Sequence, residues 1–225
     1  MEKLISVLVL TLLFSSLELF AQSVKLGQYT LTANKISVSK VKIMGKDAVR
    51  VVKDSSIKAV DEPTFARLTG VHFKNGTIEV KVLSRLLPNA PEFARGFIGI
   101  AFHINDSNTR YESIYLRPTN GRADDQVRRN HSVQYYAYPD YKFDRLRKES
   151  PERYESYADM ALNQWITMRI EVTGEQARLF LNGSKQPTLV VNDPKLGPGA
   201  TGAIGLWVDV GTEGFFSDLN VLKQK

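Results

Sequence analysis

Period-two alternation, cut at short intervals by turn residues, is the feature that most limits what this chain can fold into. Asn75-Gly76 is followed by Ile78, Glu79, Val80, Lys81 and Val82, which sends three apolar side chains to one face and two charges to the other. Residues 96–104 repeat the pattern, with Ile98, Ile100, Phe102 and Ile104 on one side and Phe97, Gly99, Ala101 and His103 on the other. The small residues of that second side predict room for a ligand to approach. Residues 111–117 return with Ile114 and Leu116 on the core face, which places Tyr111, Ser113, Tyr115 and Arg117 beside His103.

Other segments read the same way. Residues 29–41 and 48–53 form an N-terminal hairpin about Gly45-Lys46-Asp47, and residues 131–138 form a short strand. Residues 166–172 and 176–181 flank a Thr173-Gly174-Glu175 turn, and residues 189–191, 202–210 and 215–222 follow. That makes about a dozen strands and no convincing amphipathic helix, so the expected fold is all-β, a large sandwich of two antiparallel sheets.

With 225 residues, 43% of them hydrophobic, there is core enough for one domain. Residues 1–21 have the layout of a signal peptide: Lys3, an apolar run over residues 4–14, then Ser15, Ser16, Glu18, and Ala21 just before Gln22. An uncleaved N-terminal anchor is the alternative. Residues 22–225 are then the single folded domain, with no membrane span after cleavage. The chain has no cysteine, which excludes disulfides, thiol nucleophiles, thiolate metal sites and lipid attachment through sulfur. Export without disulfides fits a periplasmic or secreted bacterial protein. The formal charge is +6, and because the leader carries Lys3 against Glu2 and Glu18, the mature chain stands at +7. A basic surface suits an anionic partner such as an acidic polysaccharide, whereas nucleic acid is disfavoured by the acids that interrupt any phosphate track.

Chemistry concentrates in residues 111–141, where Arg117, Arg122, Arg128 and Arg129 mix with Asp124, Asp125, His131 and six tyrosines. So many hydrogen-bonding groups must be solvated or line a polar cleft, and a carbohydrate cleft is the reading adopted. Its binding residues are His103, Tyr115, Arg117, Gln134 and Tyr135 from the strands, with Asn120, Arg122, Arg128 and Arg129 at the rim. Trp207 and Asp209 join them because they oppose Ile204, Leu206 and Val208. Trp207 is either a ring for stacking on sugar or a packing residue. The arginines either clamp a carboxylate or sulfate, or staple their own loop. If the protein is an enzyme, its acid and base come from Asp124, Asp125, His131 or Glu112. No cofactor is expected; calcium on Asp124, Asp125, Asn120 and Asn130 is the minority reading, because the arginines nearby repel a divalent ion. Residues 140–159 read as a long surface loop with room for one helical turn, of a length that tends to be functional.

The last third carries a family pattern: Trp165 opening a strand, Arg169, Ala177-Arg178-Leu179-Phe180-Leu181-Asn182-Gly183, Gly202-Ala203-Ile204-Gly205-Leu206-Trp207, and Phe216-Ser217-Asp218-Leu219. It resembles the concanavalin A-like lectin/glucanase superfamily over residues 24–225, and within it the laminin-G-like domains of bacterial 3-keto-disaccharide hydrolase-type proteins. The resemblance implies a jelly-roll sandwich whose concave sheet receives glycans. Laminarinase-type members carry an acid and a nucleophile about 5 Å apart on one strand, in an E-x-D-x-E run. This chain has no such run; its nearest strand offers only Glu79. The expected function is therefore an exported carbohydrate-binding protein for an oligo- or polysaccharide. Glycan cleavage is the alternative, and a protein-interaction module the weaker one.

Overall fold

A computed structural model describes residues 23–224; the leader expected over residues 1–21 lies outside them. The first half of the chain supplies β1 Ser23–Leu26, β2 Tyr29–Asn34, β3 Ile36–Ile43, β4 Lys46–Lys53, β5 Phe65–Leu68, β6 Gly76–Leu86, β7 Ile98–Ile104 and β8 Tyr111–Leu116. The second half supplies β9 Val133–Tyr138, β10 Glu155–Ser156, β11 Ile166–Thr173, β12 Gln176–Leu181, β13 Leu189–Val191, β14 Ala203–Val208 and β15 Thr212–Lys223. They build two antiparallel sheets, one ordered β1-β2-β5-β14-β7-β8-β9-β10 and the other β13-β12-β11-β6-β15-β4-β3. This is the jelly-roll sandwich, all-β as its turn-punctuated alternation requires.

Alternation decides which residues meet between the sheets. Ile78, Val80 and Val82 of the central strand β6 face inward against Ile98, Ile100, Ile114, Leu116, Leu206 and Phe216, all without solvent exposure. At about 25 cal/mol per Å² of apolar area, this layer dominates the stability of a domain without disulfides.

Four details depart from the sequence expectation. Residues 29–41 are not one strand: Lys35 takes φ 53° and hands the chain from β2 in one sheet to β3 in the other. Two short helices interrupt the strands, α1 Gln126–Asn130 and α2 Phe143–Glu149, with a 3-10 turn at Pro118–Asn120. Strand β9 begins at Val133, so His131 is not a strand residue but caps the C-terminus of α1. The space beside Gly99 is filled by protein, since a Cβ there would lie 2.5 Å from that of Tyr115. Glycine therefore admits the neighbouring tyrosine, not a ligand.

The outer face of the eight-stranded sheet is an aromatic layer. Trp207 lies 4.8 Å from Tyr115 and 5.6 Å from Tyr136, ring centroid to centroid, and Tyr111 lies 5.7 Å from Tyr136 and 5.4 Å from Phe65. Two segments roof it. The Trp207 Nε1–H donates to the Glu62 carbonyl at 2.9 Å, and Lys142 Nζ donates to Glu62 Oε1 at 2.7 Å, so residues 60–64 and 138–147 are stitched together above the sheet. What remains open between them is the site.

Candidate functional site

A pocket of roughly 600 Å³ opens at the end of this roofed face, within the size range of small-ligand sites. Its floor is polar, with Asp61, Tyr115, Arg117 and Asp209; His131, Asn120, Arg95, Arg128 and Arg147 stand in its walls. Its mouth carries apolar groups, among them Phe93 and Val127, which are 51% and 66% exposed.

The acids at the floor come from opposite ends of the sequence. Asp209 follows β14 and is buried with Lys53 from the end of β4, whose Nζ donates to Oδ1 at 2.5 Å and to the Ala59 carbonyl at 2.5 Å. The other oxygen of Asp209 accepts the Asp61 backbone N–H at 2.8 Å. Asp61 sits in a left-handed turn, φ 53°, a conformation Asp tolerates better than most residues. Its carboxyl accepts the Phe143 N–H at 3.1 Å, and among the described residues it has no cation within ion-pair distance. Burial, reinforced by the Asp209 charge and only partly opposed by the Phe143 N–H, pushes the Asp61 carboxyl up to about 7. Such a group both takes and gives a proton near neutrality.

Arg117 is the cation of the floor. It reaches the Tyr115 hydroxyl at 2.7 Å, Gln134 Oε1 at 3.2 Å and Glu155 Oε1 at 3.2 Å, and stacks over the Tyr115 and Phe143 rings. Burial drives the Tyr115 phenol well above its ordinary range, so it is a neutral hydroxyl. Glu155 also accepts from Arg147, and His131 Nδ1 lies 2.9 Å from its Oε2. Although burial pushes the Glu155 carboxyl up, Arg147 and Arg117 together hold it below the usual range. Burial lowers the His131 imidazole, against the pull of Glu155.

Several expected site residues lie elsewhere. Trp207 is fully buried under Glu62, between Tyr115 and Tyr136, so it is a packing residue and offers no free ring face to a sugar. His103, Glu112 and Tyr135 are not in the pocket. Glu112 pairs with Phe102 in register and so shares the inward face of Ile114, while a register shift in β14 opposite β7 and φ 54° at His103 turn that imidazole inward too. There His103 Nδ1 meets Glu112 Oε2 at 2.7 Å, and the Tyr135 hydroxyl donates to Glu112 Oε1 at 2.6 Å. Arg122 forms an exposed pair with Asp159 at 2.6 Å, and Arg129 stacks on Tyr157; neither lines the pocket. Gln134 is buried behind Arg117 as a hydrogen-bond partner. Asp124 is exposed outside the pocket, and Asp125 lines it but caps α1 through the Arg128 N–H at 3.0 Å. Of the oxygens considered for calcium, Asn120 Oδ1 accepts Arg128 Nε at 3.0 Å and Asn130 Oδ1 accepts Gln126 Nε2 at 2.8 Å.

Tyr115, Arg117, Asn120, Arg128, His131, Asp125 and Asp209 do come together. Asp61, Lys53, Phe143 and Arg147 join them without having been singled out in the sequence. The run Asp61-Glu62-Pro63 reads only as a chain break, and the sole local hint for Phe143 and Arg147 is the unusual length of residues 140–159.

Fold and pocket together define a jelly-roll sandwich with a buried carboxyl pair under a small-ligand cavity. The chain belongs to the family of 3-keto-alpha-glucoside-1,2-lyase-like domains, whose family model matches residues 27–222. No curated protein sequence matches it. Among solved structures it is similar to a candidate glycosyl hydrolase from Parabacteroides distasonis, at 12% identity, TM-score 0.50, covering 84% of this chain and 94% of that one. It is also similar to the carbohydrate-binding module CBM66 from Bacillus subtilis, at 8% identity and TM-score 0.48, covering 83% and 94%. A third is domain 4 of an extracellular arabinanase from Geobacillus stearothermophilus in complex with arabinotriose, at 14% identity and TM-score 0.48, covering 86% and 81%. At 12% identity the likeness to the Parabacteroides distasonis structure speaks for the fold alone. Among the described residues no helix is long and apolar enough to cross a membrane.

Proposed function

We propose that the pocket binds one ring of a glycoside and cleaves a 3-keto glycoside by 1,2-elimination, outside the cytoplasm. The observation that carries this reading is the Asp61 carboxyl, buried at the pocket floor against Asp209 and held near 7. Family membership supplies the substrate class, and the leader pattern of residues 1–21 supports export.

A ketone at C3 acidifies the hydrogen at C2. Asp61 removes that proton, the C2–H electron pair becomes the C1=C2 double bond, and the C1–O bond breaks toward the leaving group. The protonated Asp61 then returns its proton to the departing oxygen, so the step needs no other reagent. Arg117, with the Tyr115 hydroxyl that it contacts at 2.7 Å, offsets the negative charge that grows on the C3 oxygen. Asp209 is held in place by Lys53 Nζ and the Asp61 backbone N–H, and so positions the turn that carries Asp61. Sugar binding without cleavage is the competing reading.

The test is incubation with a 3-keto glucoside in D2O, following the glycoside and the unsaturated 3-ketone by NMR. The proposal expects the alkene product and its loss in Asp61→Asn. Saturable binding with no turnover would leave a binding protein and remove the lyase.

A further inference from the structure

Four arginines line the pocket: Arg95, Arg117, Arg128 and Arg147. Arg117 and Arg147 share the carboxylate of Glu155. Arg95 and Arg128 have no carboxylate within ion-pair distance among the described residues. Arg95 donates through Nη1 to the carbonyls of Glu92 at 2.6 Å and Ala94 at 2.9 Å. Arg128 donates through Nε to Asn120 Oδ1 at 3.0 Å and through Nη2 to Thr119 Oγ1 at 3.4 Å. Every one of these acceptors is neutral. Asp125, the acid nearest in sequence, receives the Arg128 backbone N–H instead of its side chain.

This placement is built rather than incidental. Asn120 is buried, and while its Oδ1 holds Arg128, its Nδ2 donates to the His131 carbonyl at 3.1 Å. Both guanidiniums are half-buried and face one cavity. Burial lowers the Arg95 guanidinium, and the charges of Arg128 and then Arg117 lower it further, with only a weak opposing pull from Glu92. Two cations that repel each other while retaining unused N–H donors are stabilised by an anion between them.

We propose that Arg95 and Arg128 form a subsite for an anionic oxygen group carried by the sugar substrate, the carboxylate of a uronic acid or a sulfate ester. The subsite rests on the pocket being a sugar site. It selects charged glycosides over neutral ones, and it acts on affinity, not on the elimination itself.

Calorimetric titration of the purified protein with methyl glucoside, methyl glucuronide, methyl glucoside 6-sulfate and inorganic sulfate tests it. At least one charged glycoside is expected to bind about tenfold tighter or more than methyl glucoside, and the better of the two identifies the group. Arg95→Gln and Arg128→Gln should each erase most of that preference, weakening binding of the charged glycoside several-fold more than binding of methyl glucoside. Arg122→Gln, outside the pocket, should retain it. Circular dichroism and the melting temperature of each variant establish that the fold is intact. Raising the salt concentration on the wild type should shrink the preference without any substitution. Equal affinity for neutral and charged glycosides, or a preference that survives both pocket variants, would overturn the subsite and spare the sugar pocket. Binding of inorganic sulfate with no binding of any sugar would remove the sugar pocket itself, and with it a subsite for a sugar-borne anion.

Discussion

The eight-stranded sheet carries a buried polar cluster on each of its faces, and the two behave differently. On the inward face Glu112 is saturated: His103 Nδ1 at 2.7 Å, the Tyr135 hydroxyl at 2.6 Å and the Leu196 N–H at 3.3 Å all address it. His103 Nε2 in turn donates to the Lys74 carbonyl at 2.9 Å, so each of these contacts is made within the protein. On the outward face Asp61 has one N–H donor, a neighbouring carboxylate and a pocket in front of it. Burial alone therefore does not mark a site. The distinguishing feature is a buried charge left incompletely satisfied where a ligand can reach it.

If that contrast is right, the largest effect belongs to the outward cluster. Asp61→Asn is expected to lower turnover of a 3-keto glycoside by about 10²–10⁴-fold with the fold intact, measured as kcat alongside circular dichroism. A variant that retains wild-type kcat would place the chemistry elsewhere. Next comes Lys53→Met, which strands the Asp209 carboxylate in the interior and should cost about 3–5 kcal/mol in urea unfolding. A cost below ~1 kcal/mol would mean the pair is not buried as described.

The carboxyl of Asp61 also couples stability to pH. It is held up to about 7 in the fold, against about 3.9 in the unfolded chain. The folded state thus binds more protons between these values. The stabilisation is fully present below about pH 4 and is lost as the pH rises through 7, on the order of 4 kcal/mol from this group. Urea midpoints across that window should fall in the wild type and fall less in Asp61→Asn; parallel profiles would contradict the assignment. The smallest effect is assigned to the inward cluster. Glu112→Gln should cost about 1–3 kcal/mol of stability and leave kcat unchanged, so a variant with normal stability and lost activity would reverse the comparison.

Much of the fold was legible because strand alternation is local. Ile78, Val80 and Val82 declared their face within five residues, and Asn182-Gly183 marked the turn after β12. The sheet switch at Lys35 was not legible, since its left-handed backbone follows from tertiary demand and not from a glycine. The site was half legible. Tyr115, Arg117 and Arg128 stood in a visibly polar stretch, but Asp61 acquires its character from Asp209, 148 residues away, and from a roof made by Phe143. The face of His103 was misread for the same kind of reason, because a register shift moves a side chain across the sheet without altering the composition around it.

The central claim is that Asp61 is a proton carrier at neutral pH. Its most direct test is a carbon-13 NMR titration of the side-chain carboxyls in the full-length protein, with Asp61→Asn identifying the resonance. A midpoint near 7 for Asp61 is the expected result. A midpoint of about 3–5, the ordinary range of aspartates, would contradict it.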